Sequence, residues 1–364
     1  MTLLSGRTLV CVTTFFALPL FFLFMLVILL APEVQSASNH TAALSAEYDV
    51  EEALRALYFS KSTYCPVGSI MNWTCGSACR NASPAFSVYN VYENVSTGNL
   101  GFSGLDHKMG RIVLAFRGSA NKYNWLEDFD FWFTPYAPAT CGEKCRVHRG
   151  FYAAYNSIRP QILLDMQAML LSYPFYTVLV TGHSLGAAMA LLAAVEIRSR
   201  NFSHTGLMQN SVQLGGAASD DSHLVSLDLY TFGEPRVGNR EFANWSASVL
   251  ENGRQFRVTH ARDPVPHVPP MCWGFTHVPQ EIWYPDDNDT VVYCQDTPTT
   301  EDPHCSNSFN ETVPADHDFY LGLCTRCECT PAEMEEISKY ELPNPINDMI
   351  ACDHGRRTVG SVER

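Results

Sequence analysis

The sequence has no excess of positive charge. Its 24 lysine and arginine residues are outnumbered by 38 aspartate and glutamate residues, which gives a formal net charge of −14. Such a protein has no general electrostatic attraction to a phosphate backbone, so we expect no nucleic acid partner. Charged residues make up only 17% of the chain and apolar residues 46%. This balance predicts a folded protein with a sizeable core, not a disordered chain.

The N-terminal residues differ from the rest of the chain. Residues 9–31 are almost wholly apolar, follow the single cation Arg7 and precede small residues that include Ser36. This order is typical of a secretory signal, so we predict a signal peptide over residues 1–36. An uncleaved signal anchor is the alternative, because the apolar run is long enough to span a bilayer. In either case residues 37–364 are predicted to enter the secretory pathway, as a secreted or a membrane-anchored protein.

Cysteines and glycosylation sequons point to the same compartment. Of thirteen cysteines, one lies in the predicted signal, and the remaining twelve suit six disulfides in an oxidising lumen. A C-terminal cluster of cysteines with His354 also fits a zinc site, but free thiolates are scarce in that compartment, so we predict disulfides and no metal. The cluster comprises Cys324, Cys327, Cys329 and Cys352. Eight sequons predict a glycoprotein. They begin at Asn39, Asn72, Asn81, Asn94, Asn201, Asn244, Asn288 and Asn310.

Strands alternate with helices along the chain, a pattern that predicts a mostly parallel central sheet with helices on both faces. The predicted strands are residues 88–93, 111–116, 176–181, 227–232 and 256–260, and the predicted helices are residues 42–57, 151–171, 185–198 and 241–250. Residues 286–314 are rich in polar residues, and we interpret them as a surface excursion held by disulfides. No internal repeat or low-complexity linker is present, so residues 37–364 are predicted to form a single α/β domain with a cysteine-rich C-terminal tail.

Ser184 is the candidate nucleophile. It lies at the centre of Gly182-His-Ser184-Leu-Gly186, between an apolar strand and a helix of small residues. Strand, sharp turn and helix in this order are typical of the nucleophile elbow of an α/β-hydrolase, in which glycines let the neighbouring backbone approach closely. The helix N-terminus then faces the site where negative charge develops, and the backbone N–H of Leu185 is one candidate donor to that charge.

A serine nucleophile needs a base and an acid, which in α/β-hydrolases follow it in the order acid, then histidine. Asp263 ends a predicted strand, at the edge of the sheet where sites collect. The candidate bases are His267, His277, His304, His317 and His354, and spacing alone gives His317 only a small advantage. A second donor to the developing charge should follow the strand 111–116, where the chain reads Arg117-Gly-Ser119.

Several motifs together resemble the class 3, fungal-type triacylglycerol lipases of the α/β-hydrolase superfamily, over residues 64–327. They are Ile112-Val-Leu-Ala-Phe-Arg-Gly-Ser119, Val147-His-Arg-Gly-Phe151, the Ser184 motif, Phe232-Gly-Glu-Pro-Arg-Val-Gly-Asn239, Asp263-Pro-Val-Pro266, Glu281-Ile-Trp-Tyr284 and Asp316-His-Asp-Phe-Tyr320. The resemblance implies a triad of Ser184, Asp263 and His317, with Ser119 and Leu185 as the oxyanion hole. It also implies three disulfides, Cys75 with Cys79, Cys141 with Cys145, and Cys65 with Cys324 or Cys327.

The segment from Ala120 to Asp130 occupies the position of this family's lid. It is amphipathic over a short span and carries Trp125, so we predict that it covers the acyl groove in water and opens at a lipid surface. The sequence thus predicts a secreted lipase that hydrolyses triacylglycerols without a cofactor. Its expected partner is a lipid or ester at a lipid–water interface, which includes peripheral contact with membranes or lipid droplets. A phospholipase A1, or another carboxylesterase such as a feruloyl esterase, is the alternative on the same fold.

Overall fold

A computed structural model describes residues 48–119, 131–200, 225–286, 290–297, 299–309, 311–339 and 353. All of them lie in one compact unit, Glu47–Arg364. Among these residues no helix is both long and apolar enough to cross a bilayer. Three predicted features lie outside the described residues. They are the signal segment 1–36, the lid segment with Trp125, and the sequons at Asn39, Asn201, Asn288 and Asn310.

An eight-stranded sheet forms the centre of the fold. In the described part of the chain the strands are β1 Ser87–Asn94, β2 Asn99–Asp106, β3 Arg111–Phe116, β4 Phe133–Pro135, β5 Arg146–His148, β6 Thr177–His183, β7 Leu227–Phe232, β8 Gly238–Asn239, β9 Gln255–His260, β10 Phe275–Thr276, β11 Glu281–Tyr284, β12 Val292–Tyr293, β13 Phe319–Tyr320 and β14 Leu323–Cys324. The central sheet has the order β1-β2-β3-β6-β7-β9-β11-β12. From β3 to β11 every pairing is parallel, and the outer strands pair antiparallel. The prediction of a mostly parallel sheet is confirmed.

Helices cover both faces of this sheet. They are α1 Val50–Ser62, α2 Val67–Met71, α3 Gly76–Ala82, α4 Arg149–Asn156, α5 Arg159–Ser172, α6 Leu185–Ser199, α7 Arg240–Leu250 and α8 Pro331–Ser338. On β6, Val180 packs into the apolar core that contains α6, whereas the hydroxyl of Thr181 donates to the carbonyl of Ala56 on α1 at 3.2 Å. Because successive side chains of a strand point to opposite faces, α1 and α6 lie on opposite sides of the sheet.

Two elements differ from the prediction. The helix predicted over residues 151–171 is two helices, α4 and α5, which break at Ile158 with φ −123°. Pro160 explains the break, because proline fits the first turn of a helix but disrupts its interior. Strand β2 was not predicted, since its glycines weaken the apolar pattern. At Gly104 a Cβ would lie 2.3 Å from the carbonyl oxygen of Ser87, so the close pairing of β2 with β1 requires glycine there.

Disulfides tie the chain together as predicted. Cys75 is bonded to Cys79 and Cys141 to Cys145, and Cys65 takes Cys327 rather than Cys324. Two further bonds join Cys294 to Cys305 and Cys324 to Cys329, and Cys272 is also disulfide-bonded. The described C-terminal cysteines are therefore not free thiolates for zinc. Glu281, Cys294 and Cys305 also lie close enough together for a metal site, but the two cysteines are bonded to each other and offer no thiolate.

The interpretation of residues 286–314 as a surface excursion is wrong in part. The segment is held by the bond between Cys294 and Cys305, but both cysteines are buried, and so are Asp296 and Asp302. Two of its acidic side chains meet buried arginines: Asp296 accepts a hydrogen bond from Arg257 at 2.9 Å, and Glu301 pairs with Arg236. Composition alone suggested a solvated loop, whereas pairing of opposite charges makes burial of these carboxylates tolerable.

Candidate active site

Ser184 lies at the turn between β6 and α6, at the carboxyl edge of the parallel strands. It is fully buried and adopts φ +60° and ψ −130°, a conformation that side-chain-bearing residues rarely take. Its backbone N–H donates to the carbonyl of Phe232 at the end of β7. The turn is therefore anchored to the end of β7, and the surrounding fold keeps Ser184 in its strained backbone conformation.

The glycines on either side of Ser184 are required by close backbone contacts. A Cβ on Gly182 would lie 2.2 Å from the carbonyl oxygen of Gly186, and a Cβ on Gly186 would lie 2.4 Å from that of Phe116. These distances are too short for real atoms. The turn can fold only with glycine at both positions, as the nucleophile elbow requires.

Asp263 and His317 are hydrogen-bonded to each other beside this turn. Nδ1 of His317 lies 2.8 Å from Oδ2 of Asp263, and both side chains are buried. Asp263 follows β9, while His317 lies in a 3₁₀ turn before β13. The fold thus brings together two residues that are 54 positions apart in sequence.

Further donors surround the Asp263 carboxylate. Its Oδ2 also accepts a hydrogen bond from the hydroxyl of Tyr320, and its Oδ1 accepts one from the N–H of Val265 at 2.8 Å. Burial by itself raises the pKa of a carboxyl group. At Asp263 the charge of His317 and these hydrogen bonds outweigh burial, so the pKa lies below its usual value. Asp263 is therefore ionised near neutral pH.

The other candidate histidines have different partners. His267 is hydrogen-bonded to Asn307 and His277 to the carbonyl of Pro266, whereas His304 has an exposed side chain beside Asp302. His354 lies outside the described residues. Of the candidates that spacing left open, His317 is the one that the fold pairs with Asp263.

The loop after β3 contacts the Ser184 turn. A Cβ on Gly118 would lie 2.8 Å from the carbonyl oxygen of His183 and 3.0 Å from the Cβ of Ser184. Ser119 is the next residue in this loop. Leu185 is the first residue of α6, where backbone N–H groups have no acceptor within the helix. Both predicted oxyanion donors therefore belong to segments that adjoin Ser184.

A chain of hydrogen bonds joins this loop to the His317 backbone. The N–H of Gly118 donates to the hydroxyl of Tyr64, which is 2.7 Å from Nδ1 of His183. Nε2 of His183 lies 2.8 Å from the carbonyl oxygen of His317. A carbonyl only accepts, so Nε2 of His183 carries the proton and Nδ1 accepts from Tyr64.

Sequence reasoning missed Tyr64, Tyr320 and Gly233. Tyr320 could have been identified from the sequence, since it is the last residue of the motif that contains His317. Gly233 packs so tightly that a Cβ would lie 2.9 Å from Asp263, His317 and Tyr320. For Tyr64 the sequence carries no signal, because its contacts with Gly118 and His183 form only when distant segments fold together.

Comparisons with known proteins agree with this geometry. A family model described as Lipase (class 3) matches residues 113–273. The secreted mono- and diacylglycerol lipase A of Penicillium cyclopium is 30% identical over 266 residues, which cover 72% of this chain and 78% of that protein. The structure of the Rhizomucor miehei triacylglyceride lipase is 28% identical with a TM-score of 0.64, over 77% of this chain and 97% of that one. Another triacylglycerol lipase structure, whose catalytic centre is a serine protease triad, is 30% identical with the same TM-score and the same coverage.

The fold and the site define the class of protein. A mostly parallel sheet with a strained serine at the strand–helix turn, and an Asp–His pair from later loops, is an α/β-hydrolase. The relatives narrow this class further. The chain belongs to the class 3, fungal-type lipase family and is a carboxylic ester hydrolase of the triacylglycerol lipase type.

Proposed function

We propose that the protein hydrolyses the ester bonds of triacylglycerols with Ser184 as nucleophile, His317 as general base and Asp263 as the acid that orients His317. One observation carries this proposal. Oγ of Ser184 and Nε2 of His317 are both buried, and neither has a hydrogen-bond partner in the described part of the chain. Buried polar atoms are normally paired, because an unpaired one costs free energy. These two are the atoms that a serine hydrolase must keep available for its substrate.

The reaction follows from these positions. Oγ of Ser184 attacks the ester carbonyl carbon, and its proton passes to Nε2 of His317. The backbone N–H groups of Ser119 and Leu185 stabilise the oxyanion of the tetrahedral intermediate, with support from the N-terminus of α6. His317 then gives the proton to the departing alcohol, which leaves an acyl group on Ser184. A water molecule that loses its proton to His317 releases the fatty acid and restores the Ser184 hydroxyl.

Asp263 acts through His317 in both half-reactions. Its hydrogen bond to Nδ1 fixes the ring so that Nε2 faces the reacting atoms, and its negative charge stabilises the imidazolium that forms when Nε2 takes a proton. The low pKa of Asp263 keeps this charge in place throughout. Tyr320 and Val265 hold the carboxylate itself, so the acid has little freedom to rotate.

A release assay tests the proposal. Purified protein is given triolein, phosphatidylcholine or a feruloyl ester, and we expect release of oleate from triolein that Ser184→Ala abolishes. Ser60→Ala is the matched control, because Ser60 is also fully buried, with a hydroxyl that has no partner among the described residues, but lies on α1. Activity that survives in Ser184→Ala would overturn the mechanism. Faster hydrolysis of phosphatidylcholine or of the feruloyl ester than of triolein would replace the substrate assignment with the corresponding alternative.

The proposal includes secretion and a lid. Secretion is supported by the described disulfides, which persist in oxidising compartments, and by the secreted relative from Penicillium cyclopium. The lid is supported by the amphipathic segment that carries Trp125. This segment is joined directly to Ser119, so a rearrangement of the lid can reach the oxyanion hole.

Interfacial kinetics test the lid. The rate is measured on a short soluble ester below and above the concentration at which droplets form, and we expect a jump that Trp125→Ala diminishes. Phe175→Ala is the control, since Phe175 is 95% exposed but lies before the amino end of β6, opposite the Ser184 edge. The absence of a jump in the wild type, with no effect of Trp125→Ala, would contradict the lid.

A further inference from the structure

The loop that follows Asp263 has few backbone donors of its own. It reads Asp263-Pro-Val-Pro-His-Val-Pro-Pro270 and is buried throughout. Half of these residues are prolines, which have no N–H, so the loop pairs only some of its carbonyl groups internally: His267 donates to Pro264 and Val268 to Val265. The other buried carbonyls of the loop need donors from other parts of the chain, and the source of those donors decides how firmly the loop is held.

Arg236 supplies most of these donors. Its Nη1 donates to the carbonyl oxygens of His267 at 2.7 Å and Pro269 at 3.1 Å. Its backbone N–H donates to the carbonyl oxygen of Val268 at 3.0 Å. A single residue therefore binds three successive carbonyls of the loop that carries Asp263. The carbonyl of Pro266, one position earlier, is bound by His277.

Two carboxylates orient the Arg236 guanidinium. Nε and Nη2 of Arg236 donate to the two oxygens of Glu301 at 2.8 and 2.9 Å, and Nη1 lies 3.0 Å from Oδ2 of Asp353. The Arg236 side chain is 0% exposed, and those of Glu301 and Asp353 are 4% and 3% exposed. Burial lowers the pKa of Arg236, but its carboxylate partners outweigh burial, so the guanidinium stays charged. Its fork-shaped geometry is fixed by the bidentate pair.

Asp353 comes from the C-terminal tail, 117 positions beyond Arg236 in sequence. Its second oxygen, Oδ1, accepts a hydrogen bond from the backbone N–H of Cys272 at 2.9 Å. Cys272 lies just after the proline-rich loop. Asp353 therefore contacts both the residue that binds the loop carbonyls and the chain that leaves the loop, in a part of the sequence to which the lipase motifs assign no role.

We propose that Arg236 and Asp353 are positioning residues for Asp263, and that the C-terminal tail acts on the reaction through Asp353. This inference rests on the proposed function, because it takes Asp263 as the acid of the triad. Arg236 holds the loop by its carbonyls, Asp353 and Glu301 hold Arg236, and the loop in turn presents the Asp263 carboxylate to His317. When Asp353 loses its charge, the guanidinium is left with Glu301 as its sole direct carboxylate partner among the described residues.

Asp353→Asn tests this link. The amide keeps one acceptor oxygen, which can serve Cys272 or Arg236 but not both, places an NH2 donor opposite the other, and removes the negative charge. Kinetics are measured on a soluble short-chain ester, and the concentration of working sites is determined by titration with an organophosphate. We expect the turnover per titrated site to fall roughly tenfold, because small displacements of a triad member are costly. KM is expected to stay within about twofold of the wild type, since Asp353 is assigned no contact with substrate.

Titration separates positioning from folding. Loss of folded protein lowers the number of titrated sites but not the turnover of each one, so a merely structural role would leave the turnover per site unchanged. Glu335→Gln is the control, because it makes the same change of charge on α8 at a side chain that is 68% exposed. If Asp353→Asn yields too few titrated sites, Glu301→Gln decides by the same criterion, since it weakens the other carboxylate that orients Arg236.

The outcomes are distinguishable. The deciding variant is Asp353→Asn, or Glu301→Gln where Asp353→Asn yields too few titrated sites. If its turnover per titrated site lies within about twofold of the wild type and of Glu335→Gln, the inference is overturned while the proposed function stays intact. A wild-type protein that hydrolyses the ester but is not labelled at Ser184 would overturn the proposed function, and this inference with it.

Discussion

Gly233→Ala probes the packing of the triad with a single methyl group. The added Cβ would lie 2.9 Å from Oδ2 of Asp263, from Cε1 of His317 and from the hydroxyl of Tyr320. Gly233 also has φ +56°, a backbone conformation that favours glycine. The substitution therefore has two separate effects, a backbone penalty on stability and a displacement of the Asp263–His317 pair.

The structure gives the size of each effect. An alanine in the left-handed region costs about 1–2 kcal/mol in the free energy of unfolding. The three neighbouring atoms must each withdraw by about 0.5 Å to reach ordinary van der Waals contact, and we expect kcat to fall by about tenfold or more, since a misplacement of about 1 Å can cost about a hundredfold.

Gly98→Ala separates these effects. Gly98 has φ +70° in the β1–β2 turn, but its added Cβ would meet no atom of the described residues within 4 Å. We expect a similar loss of stability in urea unfolding for both variants, and a loss of kcat on a soluble ester for Gly233→Ala alone. A Gly233→Ala enzyme with the kcat of Gly98→Ala would refute the reasoning that Gly233 packs against the working triad.

Two further predictions concern buried polar groups near the site. Tyr320→Phe removes the hydroxyl that donates to the Asp263 carboxylate. Because a hydrogen bond to a charged group contributes about 1.5–3 kcal/mol, we expect kcat on a soluble ester to fall about tenfold. An unchanged kcat would show that this bond is dispensable. Burial raises the pKa of Glu234 to about 7, against hydrogen bonding from Thr231 and the charge of Arg257. The folded state then binds more protons than the unfolded state between the ordinary value of 4.5 and about 7, so the free energy of unfolding falls as the pH rises through this window. We expect Glu234→Gln to remove that fall and to be more stable than the wild type at pH 8 by up to about 3 kcal/mol. Urea unfolding of both proteins at pH 5 and pH 8 checks this, and the same change in unfolding free energy between the two pH values in both proteins would contradict it.

Local patterns were sufficient for the parallel core of the fold. Strands β3 and β7 have the bounds that their apolar runs predict, because strands buried on both faces need continuous apolar residues. Prediction failed where local and tertiary requirements conflict. The glycines of β2 make a poor strand by composition, yet the close pairing with β1 requires glycine at position 104. Pro160 divided a helix that apolar spacing alone had joined.

The site shows the same limit. Ser184 was identifiable because its turn is built from neighbouring residues. The choice among five histidines rested on resemblance, since the bond between His317 and Asp263 joins residues far apart in sequence. The partners of Arg236 could not be predicted from the sequence for a similar reason. Glu301 and Asp353 carry charge in polar or cysteine-rich segments, and nothing local indicates that they are buried against one arginine.

Covalent labelling of Ser184 tests the central claim most directly. The folded protein is treated with an organophosphate, digested and mapped by mass spectrometry, beside Ser184→Ala and His317→Ala. The account predicts one adduct on the peptide that contains Ser184, no adduct there in Ser184→Ala, and much slower labelling in His317→Ala. An unlabelled Ser184 in an active wild-type enzyme, or an adduct on another serine that accompanies the loss of activity, would contradict it.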